Sequence, residues 1–157
     1  MQPTILNNHY ELQTLRHLTY DDVYSVNYLL AYLSPTRPIQ THSSEELNSK
    51  LICGSGLTLF VARELSHQSI VAMVSLVRIE RLSRSCGWIE DVVVHKDHQR
   101  KGLARALVSG AITTAQARGM KHLDLTSGLA RVEAHALYKS LGFKRRKTSV
   151  WRMRFDI

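Results

Sequence analysis

Hydrophobic residues follow two different spacings along this chain. Between residues 57 and 95 they are dense, rich in Val, Ile and Leu, and divided by two short polar segments, which is typical of an antiparallel meander of three strands. In two other segments, 21–33 and 103–115, they recur at every third or fourth position, as on the buried face of an α-helix, and residues that begin or end helices mark two more. The pattern predicts strands at 57–64, 69–82 and 87–95, and helices at 21–33, 43–54, 103–115 and 131–141.

Residues that commonly begin or end helices support these boundaries. Asp21 is placed to cap the first helix, and Ser43 or Ser44 the second. Gly119 and Gly142 are placed to close the last two helices. Each predicted helix therefore has a start or stop signal of its own.

Weaker patterns complete the order of elements. Alternating or short apolar runs predict strands at 10–19, 121–127 and 148–155, and a loop is expected at 35–42. The order is β-α-α-β-β-β-α-β-α-β, an α/β fold with a single mixed twisted sheet and helices on both faces. A helix that crosses between two strands makes them parallel neighbours, which we expect for 87–95 and 121–127. The length is that of one domain, spanning residues 1–157.

Charge is distributed unevenly between the two halves of the chain. Residues 1–80 hold five Lys or Arg and seven Asp or Glu, whereas residues 81–157 hold sixteen and six, a formal charge of +10. Such a surface favours an anionic partner, which could be a nucleic acid, an acidic membrane face or a multiply phosphorylated small molecule. Charge alone does not separate these partners.

Other features exclude some classes of protein. No stretch is long and apolar enough for a transmembrane helix, and the first ten residues lack the basic and apolar regions of a secretory signal. We therefore expect a cytoplasmic protein with no membrane partner. The eight histidines and two cysteines show no metal-ligand spacing, so we predict no metal site.

The segment that follows the strand at 87–95 combines the features of an anion site. An apolar strand leads into small and cationic residues that open a helix: Gln99, Arg100, Lys101, Gly102, Leu103, Ala104 and Arg105. The N–H groups at a helix N-terminus point toward a bound anion, and small residues let the backbone approach it. The spacing fits neither a Walker loop nor a dinucleotide fingerprint. Alternatively, Gly102 and Ala104 only permit close helix packing, and the cations form a solvated face.

Two motifs resemble those of the GNAT family of N-acetyltransferases. The string QRKGLA at 99–104 is similar to the family's Gln/Arg-x-x-Gly-x-Gly/Ala pyrophosphate motif, and it follows a strand, IEDVVV, of the kind found there. The string AHALYKSLGF at 134–143 is similar to the family's closing signature, A-x-x-L-Y-x-x-x-G-F. The resemblance implies the family fold over nearly the whole chain. It also implies acetyl-CoA as the donor co-substrate and a primary amine, on a small molecule or a peptide, as the acceptor.

The resemblance also assigns residues to the donor. It implies Val92, Val93 and Val94 for the pantetheine arm and acetyl carbonyl, and Gln99, Arg100, Lys101, Gly102, Leu103, Ala104 and Arg105 for the pyrophosphate. Two positions depart from the family pattern. Ala104 replaces the commoner glycine, and Arg131 stands where many members have an asparagine that contacts the pantetheine arm. Arg131 is therefore a donor-binding candidate by position rather than by residue type.

Tyr138 resembles the family's general acid, which returns a proton to the departing thiolate. A tyrosine hydroxyl has a pKa of about 10, above that of a thiol, so it can donate to the sulfur without being ionised itself. The alternative is an amphipathic core tyrosine beside Leu137 and Leu141.

Glu90 is the first candidate for the base that accepts a proton from the amine. Strand alternation places Glu90 on the same face as Val92 and Asp91 on the opposite face, so only one of the two carboxylates would face the acceptor. We expect apolar surroundings to raise the pKa of Glu90 toward the working range. The alternative is a structural carboxylate paired with an arginine. A bulge that reversed the faces would make Asp91 the base.

Two functions other than an enzyme are also consistent with the sequence. A basic nucleic-acid-binding module is supported by the charge of the second half and the run KRRK at 144–147, but it has no recognisable reader motif, so we favour the enzyme. The other is a CoA-binding protein without turnover. Neither the identity of the acceptor nor the oligomeric state is fixed, and a homodimer is one of the alternatives.

Overall fold

One six-stranded sheet organises the computed structural model, which describes residues 3–33, 41–52 and 56–155. Its strands are β1 (Thr4–Leu6), β2 (Tyr10–Leu15), β3 (Leu57–Glu64), β4 (Ile70–Glu80), β5 (Ser85–Val94) and β6 (Leu123–Leu125). Its helices are α1 (Tyr20–Leu33), α2 (Ser44–Ile52), α3 (Leu103–Ala117) and α4 (Val132–Ser140), with a 3-10 turn at Lys96–His98. Residues 127–157, which include α4, form a compact unit of their own.

The strands lie side by side in chain order, β1 to β6. The first four pairings are antiparallel, and β5 pairs with β6 in parallel. A parallel pair needs a crossover connection, which α3 supplies here. The predicted meander and the predicted parallel neighbours are therefore confirmed.

Capping boxes begin the first two helices. The Thr19 hydroxyl accepts a hydrogen bond from the backbone N–H of Asp22 (3.3 Å), and the Asp22 carboxylate accepts one from the backbone N–H of Thr19 (3.0 Å). Thr19, and not Asp21 as predicted, is therefore the cap of α1. Ser43 and Glu46 form the same reciprocal pair before α2, at 3.1 and 3.0 Å. Of the two predicted serines, Ser43 is the cap.

Both faces of the sheet are covered by helices. On one face α1 and α2 share an apolar cluster with alternate strand residues, which includes Val23, Leu29, Leu47, Leu59, Val61, Met73 and Val93. The intervening strand residues Phe60, Val74 and Ile89 are also buried, as are Leu107, Val108 and Ala111 of α3, which packs on β3, β4 and β5. The predicted fold class is confirmed. Within the described ranges no helix has the length and hydropathy to span a bilayer.

The predicted last strand is not formed. Residues 148–155 have no regular structure, and their apolar side chains are exposed, Trp151 by 92% and Phe155 by 75%. Trp151, Met153 and Phe155 alternate with two arginines, but alternation only indicates which side chains would share a face. A strand also needs a partner for its backbone hydrogen bonds, and within the described ranges this segment pairs with none.

Smaller differences concern the ends of elements. The first predicted strand stops at Leu15, four residues early, and the three-residue strand β1 was not predicted. The predicted loop at 35–42 lies outside the described residues as far as residue 40, and so does the predicted end of the second helix beyond Ile52. Gly119 and Gly142 follow α3 and α4 with φ of 71° and 91°, which confirms both as C-terminal positions.

Candidate active site

Strand β5 is paired on both edges over only part of its length. On one edge β6 pairs with Gly87, Trp88 and Ile89, whereas on the other edge β4 pairs along β5 as far as Val94. Within the described ranges, residues 90–94 therefore have no strand on the β6 side. Backbone N–H and C=O groups on an unpaired strand edge can bind the amide groups of an extended ligand.

A β-bulge interrupts β5 at the start of this unpaired edge. Glu90 lies opposite Ser75 of β4, but Val93 lies opposite Met73, so one residue of β4 faces two residues of β5. Asp91, within the bulge, has a φ of 52°, in the left-handed region. Asp is one of the residues that tolerate this conformation.

The bulge changes which side chains share a face. We predicted Val92 on the face of Glu90, but Val93 takes that place and packs in the apolar cluster with α1. Asp91 Oδ2 accepts a hydrogen bond of 2.8 Å from Ser75 Oγ, and Ser75 lies opposite Glu90. Both carboxylates therefore lie on the α1 side of the sheet. The prediction that only one of them does so is wrong, because an inserted residue breaks the alternation.

Glu90 is the more accessible of the two carboxylates. Its side chain is exposed, so the apolar surroundings that we predicted are not found, while Asp91 is half-buried and bonded to Ser75. Arginine–carboxylate pairs in the described part of the chain include Arg63 with Asp22 and Arg78 with Glu80, and Glu90 belongs to neither. A structural pairing of Glu90 with an arginine, the alternative from the sequence, is thus not observed there.

The turn before α3 has the backbone shape of an anion site. Gly102, the residue before the helix, has a φ of 82°, and no side chain caps the helix there. The first helical hydrogen bond runs from the N–H of Ala106 to the carbonyl of Gly102 (3.0 Å), so the preceding N–H groups have no intrahelical acceptor. Apart from its chain neighbours, no atom of the described residues would lie within 4 Å of a Cβ atom at Gly102. Open space beside a helix N-terminus that no side chain caps fits a phosphate group.

The other predicted pyrophosphate residues divide into exposed and buried ones. Gln99, Arg100, Lys101 and Arg105 are exposed, Ala104 is half-buried, and Leu103 is buried. Because the side chain of Leu103 belongs to the core, only its backbone can face a ligand. The Gln99 side-chain amide donates to the carbonyl of Val94 (3.3 Å) and to the hydroxyl of Tyr32 (3.4 Å). This residue therefore joins the end of β5 to α1.

Strand β2 and the loop before it support the same turn, which the sequence did not reveal. The Tyr10 hydroxyl lies 3.0 Å from Nδ1 of His98, and the Lys101 ammonium lies 5.9 Å from the centre of the Tyr10 ring. The Asn7 side chain donates to the carbonyl of Lys101 (3.3 Å). These contacts join residues about ninety positions apart, and no local pattern in the sequence signals them.

Tyrosines of α1 also lie beside this turn, and the sequence analysis did not identify them. Tyr20, Tyr24, Tyr28 and Tyr32 recur at every fourth position on the exposed side of α1. The rings of Tyr28 and Tyr32 lie 5.2 and 6.5 Å from the His95 ring. Their i, i+4 spacing was visible in the sequence and could have identified an aromatic face.

Two predicted site residues belong to the unit at 127–157. Arg131 is exposed and immediately precedes α4, without capping the helix through its side chain. Tyr138 is only 8% exposed, and its ring packs edge-on against Phe143 with centroids 5.9 Å apart. This packing matches the core alternative for Tyr138, while its role as an acid stays a prediction.

The sequence profile of the Acetyltransferase (GNAT) family matches residues 26–143, which is more than half of the chain. The chain belongs to the GNAT family. The resemblance seen in the sequence is thereby confirmed, and the family is one of acetyltransferases.

Comparisons with individual proteins agree with this family assignment. Human N-acetyltransferase 8 is 31% identical over 82 residues, which cover 51% of this chain but only 36% of the human protein. The crystal structure of an acetyltransferase from Trypanosoma brucei is similar with a TM-score of 0.75 and 26% identity, covering 94% of this chain and 99% of that one. An aminoglycoside acetyltransferase from an uncultured soil sample has the same fold at 17% identity, with a TM-score of 0.78 over 96% and 98% of the two chains.

Proposed function

We propose that this GNAT protein transfers the acetyl group of acetyl-CoA to a primary amine by direct attack of the amine on the thioester. The observation that carries the proposal is the N-terminus of α3 at Gly102, which no side chain caps and which follows the open edge of β5 after one short turn. The first feature suits a pyrophosphate and the second suits the amide groups of a pantetheine arm. The family assignment supports the same donor.

Each candidate residue has a role in the proposed reaction. Backbone groups of residues 92–94 bind the pantetheine arm, and the turn at 99–105 binds the pyrophosphate with its N–H groups and cations. Glu90 accepts the proton that the ammonium group must lose before its nitrogen attacks the carbonyl carbon. When the carbon–sulfur bond breaks, Tyr138 returns a proton to the thiolate. Arg131 binds the pantetheine arm, in place of the family's asparagine.

The acceptor is proposed only as a class, a primary amine on a small molecule or a peptide. One protein of the same fold is an aminoglycoside acetyltransferase, and at 17% identity it supports the fold but not the substrate. The exposed carboxylate of Glu90 favours a cationic acceptor on the α1 side of the sheet. The cytoplasmic location and the homodimer stay predictions.

Release of free thiol from acetyl-CoA in the presence of an amine panel tests the proposal. The panel should contain an aminoglycoside, an amino sugar, a polyamine, free amino acids and peptides with a free N-terminus. We expect at least one amine to raise thiol release well above the amine-free rate, with one acetylated product formed per thiol. Salt-dependent binding to DNA or RNA without binding of acetyl-CoA would instead support the nucleic-acid module.

A further inference from the structure

We infer that Ser75 is a positioning residue, which fixes the β5 bulge and thereby keeps Glu90 on the acceptor side of the sheet. The role of Glu90 toward the acceptor belongs to the proposed function, on which this inference rests. Ser75 acts through Asp91 and has no direct part in proton transfer.

The hydroxyl of Ser75 is built into the bulge. Ser75 is 4% exposed, and its neighbours in the first part of β4 are buried and apolar. A buried hydroxyl is unfavourable unless it has a hydrogen-bond partner, and Asp91 Oδ2 supplies one at 2.8 Å. Hydrogen bonds to a carboxylate are stronger than those between neutral groups. The pair therefore ties one residue of β4 to one residue of the bulge.

The backbone of Asp91 explains why such a tie is needed. Asp tolerates a φ of 52° better than most residues, but this conformation still costs free energy relative to an extended one, so a strand without the bulge competes with the observed one. The hydrogen bond from Ser75 favours the bulge at Asp91 alone. If the bulge moved along the strand, every residue that it passed would turn to the other face of the sheet. Glu90 is next to the bulge, so a shift toward it would turn its side chain away from the α1 side.

The same bulge coincides with the opening of the β5 edge. Pairing with β6 ends at Ile89, and the bulge begins after Glu90. A displaced bulge would therefore alter both the direction of the Glu90 side chain and the strand edge that precedes the turn at 99–105. One buried serine thus influences the acceptor side and the donor side together.

Amide hydrogen exchange of the ligand-free protein tests the tie without reference to catalysis. Ser75→Ala should speed exchange at residues 90–94 by about tenfold, as expected for the loss of one net hydrogen bond. The amides of residues 90–94 should exchange more slowly in Asp91→Asn, which keeps an acceptor oxygen for Ser75, than in Asp91→Ala. The matched control is Thr58→Val, which removes another buried hydroxyl of the sheet, the acceptor of a 2.8 Å bond from Arg118. It should leave residues 90–94 unchanged.

Steady-state kinetics then test whether the Ser75–Asp91 hydrogen bond matters for the proposed function. Ser75→Ala should lower kcat with the best amine and raise the KM for acetyl-CoA, while Thr58→Val changes neither. Wild-type exchange at residues 90–94 in Ser75→Ala would overturn the inference, and so would equal acceleration in Thr58→Val. If no amine is acetylated by the wild type, the proposed function fails, yet the exchange data still decide whether Ser75 fixes the bulge.

Discussion

The hydroxyl of Tyr10 lies 3.0 Å from Nδ1 of His98, and this contact joins β2 to the turn that precedes α3. Tyr10 is buried. The side chain of His98 is mostly shielded from solvent by Tyr10, His95 and Glu64. Burial lowers the pKa of His98, which outweighs the opposing effect of the Glu64 carboxylate 3.9 Å away. The turn before α3 is therefore supported by a histidine that is neutral at neutral pH.

This lowered pKa predicts how stability depends on pH. The unfolded chain takes up the His98 proton near pH 6.5, whereas the folded protein takes it up only at lower pH. Between these two values the unfolded state binds more protons, so the free energy of unfolding falls as the pH falls. We expect the free energy of unfolding, measured with urea, to fall less in His98→Asn than in the wild type as the pH is lowered from about 7.5 to about 5.

An exposed histidine provides the control for this measurement. His17→Asn removes a titratable group that is exposed, so it should keep the wild-type dependence on pH. If His98→Asn and the wild type lose the same free energy of unfolding on acidification, then burial of His98 has no effect on its proton affinity.

The acid role of Tyr138 predicts a specific kinetic defect in Tyr138→Phe. The ring contact with Phe143 survives this change, and circular dichroism checks that the variant is folded. Loss of the hydroxyl should lower kcat by roughly 10²- to 10⁴-fold, with little change in the affinity for acetyl-CoA, because only the proton donor is removed. Steady-state kinetics with the best amine and a separate binding titration measure the two effects. Full turnover in the variant would identify Tyr138 as a core residue only.

The base role of Glu90 predicts a change in the pH profile. Glu90→Gln keeps the size and polarity of the side chain but cannot accept a proton. We expect kcat to fall strongly near neutrality and to recover in part at high pH, where the free amine no longer needs a base. Glu80→Gln, at another exposed carboxylate of the same sheet, is the control and should keep the wild-type profile. A wild-type profile in Glu90→Gln would move the search for the base to Asp91.

Most elements of the fold could be predicted because their signals are local. The three-residue and four-residue spacing of α1 and α3, the dense apolar strands β3 to β5 and the glycines after α3 and α4 all depend on neighbouring residues. The exposed segment at 148–155 shows the limit of such signals. Its alternation of apolar residues indicates a strand, but nothing in that pattern supplies a partner.

The candidate site could be predicted only in part for a related reason. The turn at 99–105 has a local signature, small residues at a helix N-terminus, and in the structure Gly102 precedes α3 with a positive φ and open space beside it. The bulge at Asp91 depends on pairing with β4 and on the hydroxyl of Ser75, sixteen positions away. Strand alternation carries no information about an inserted residue, so the prediction for Glu90 and Asp91 was wrong about their faces.

Titration of acetyl-CoA into two glycine variants by calorimetry tests the central claim, that the turn before α3 binds the donor. Gly102 and Gly119 are a matched pair at opposite ends of α3, since both have a positive φ and a Cβ atom at either would meet no atom within 4 Å. Glutamate at either position adds similar backbone strain, but only Gly102→Glu places a side chain and a negative charge beside the N–H groups of the turn. Circular dichroism checks that both variants are folded. We predict no measurable acetyl-CoA binding by Gly102→Glu and wild-type affinity for Gly119→Glu. Wild-type affinity in folded Gly102→Glu would contradict the claim.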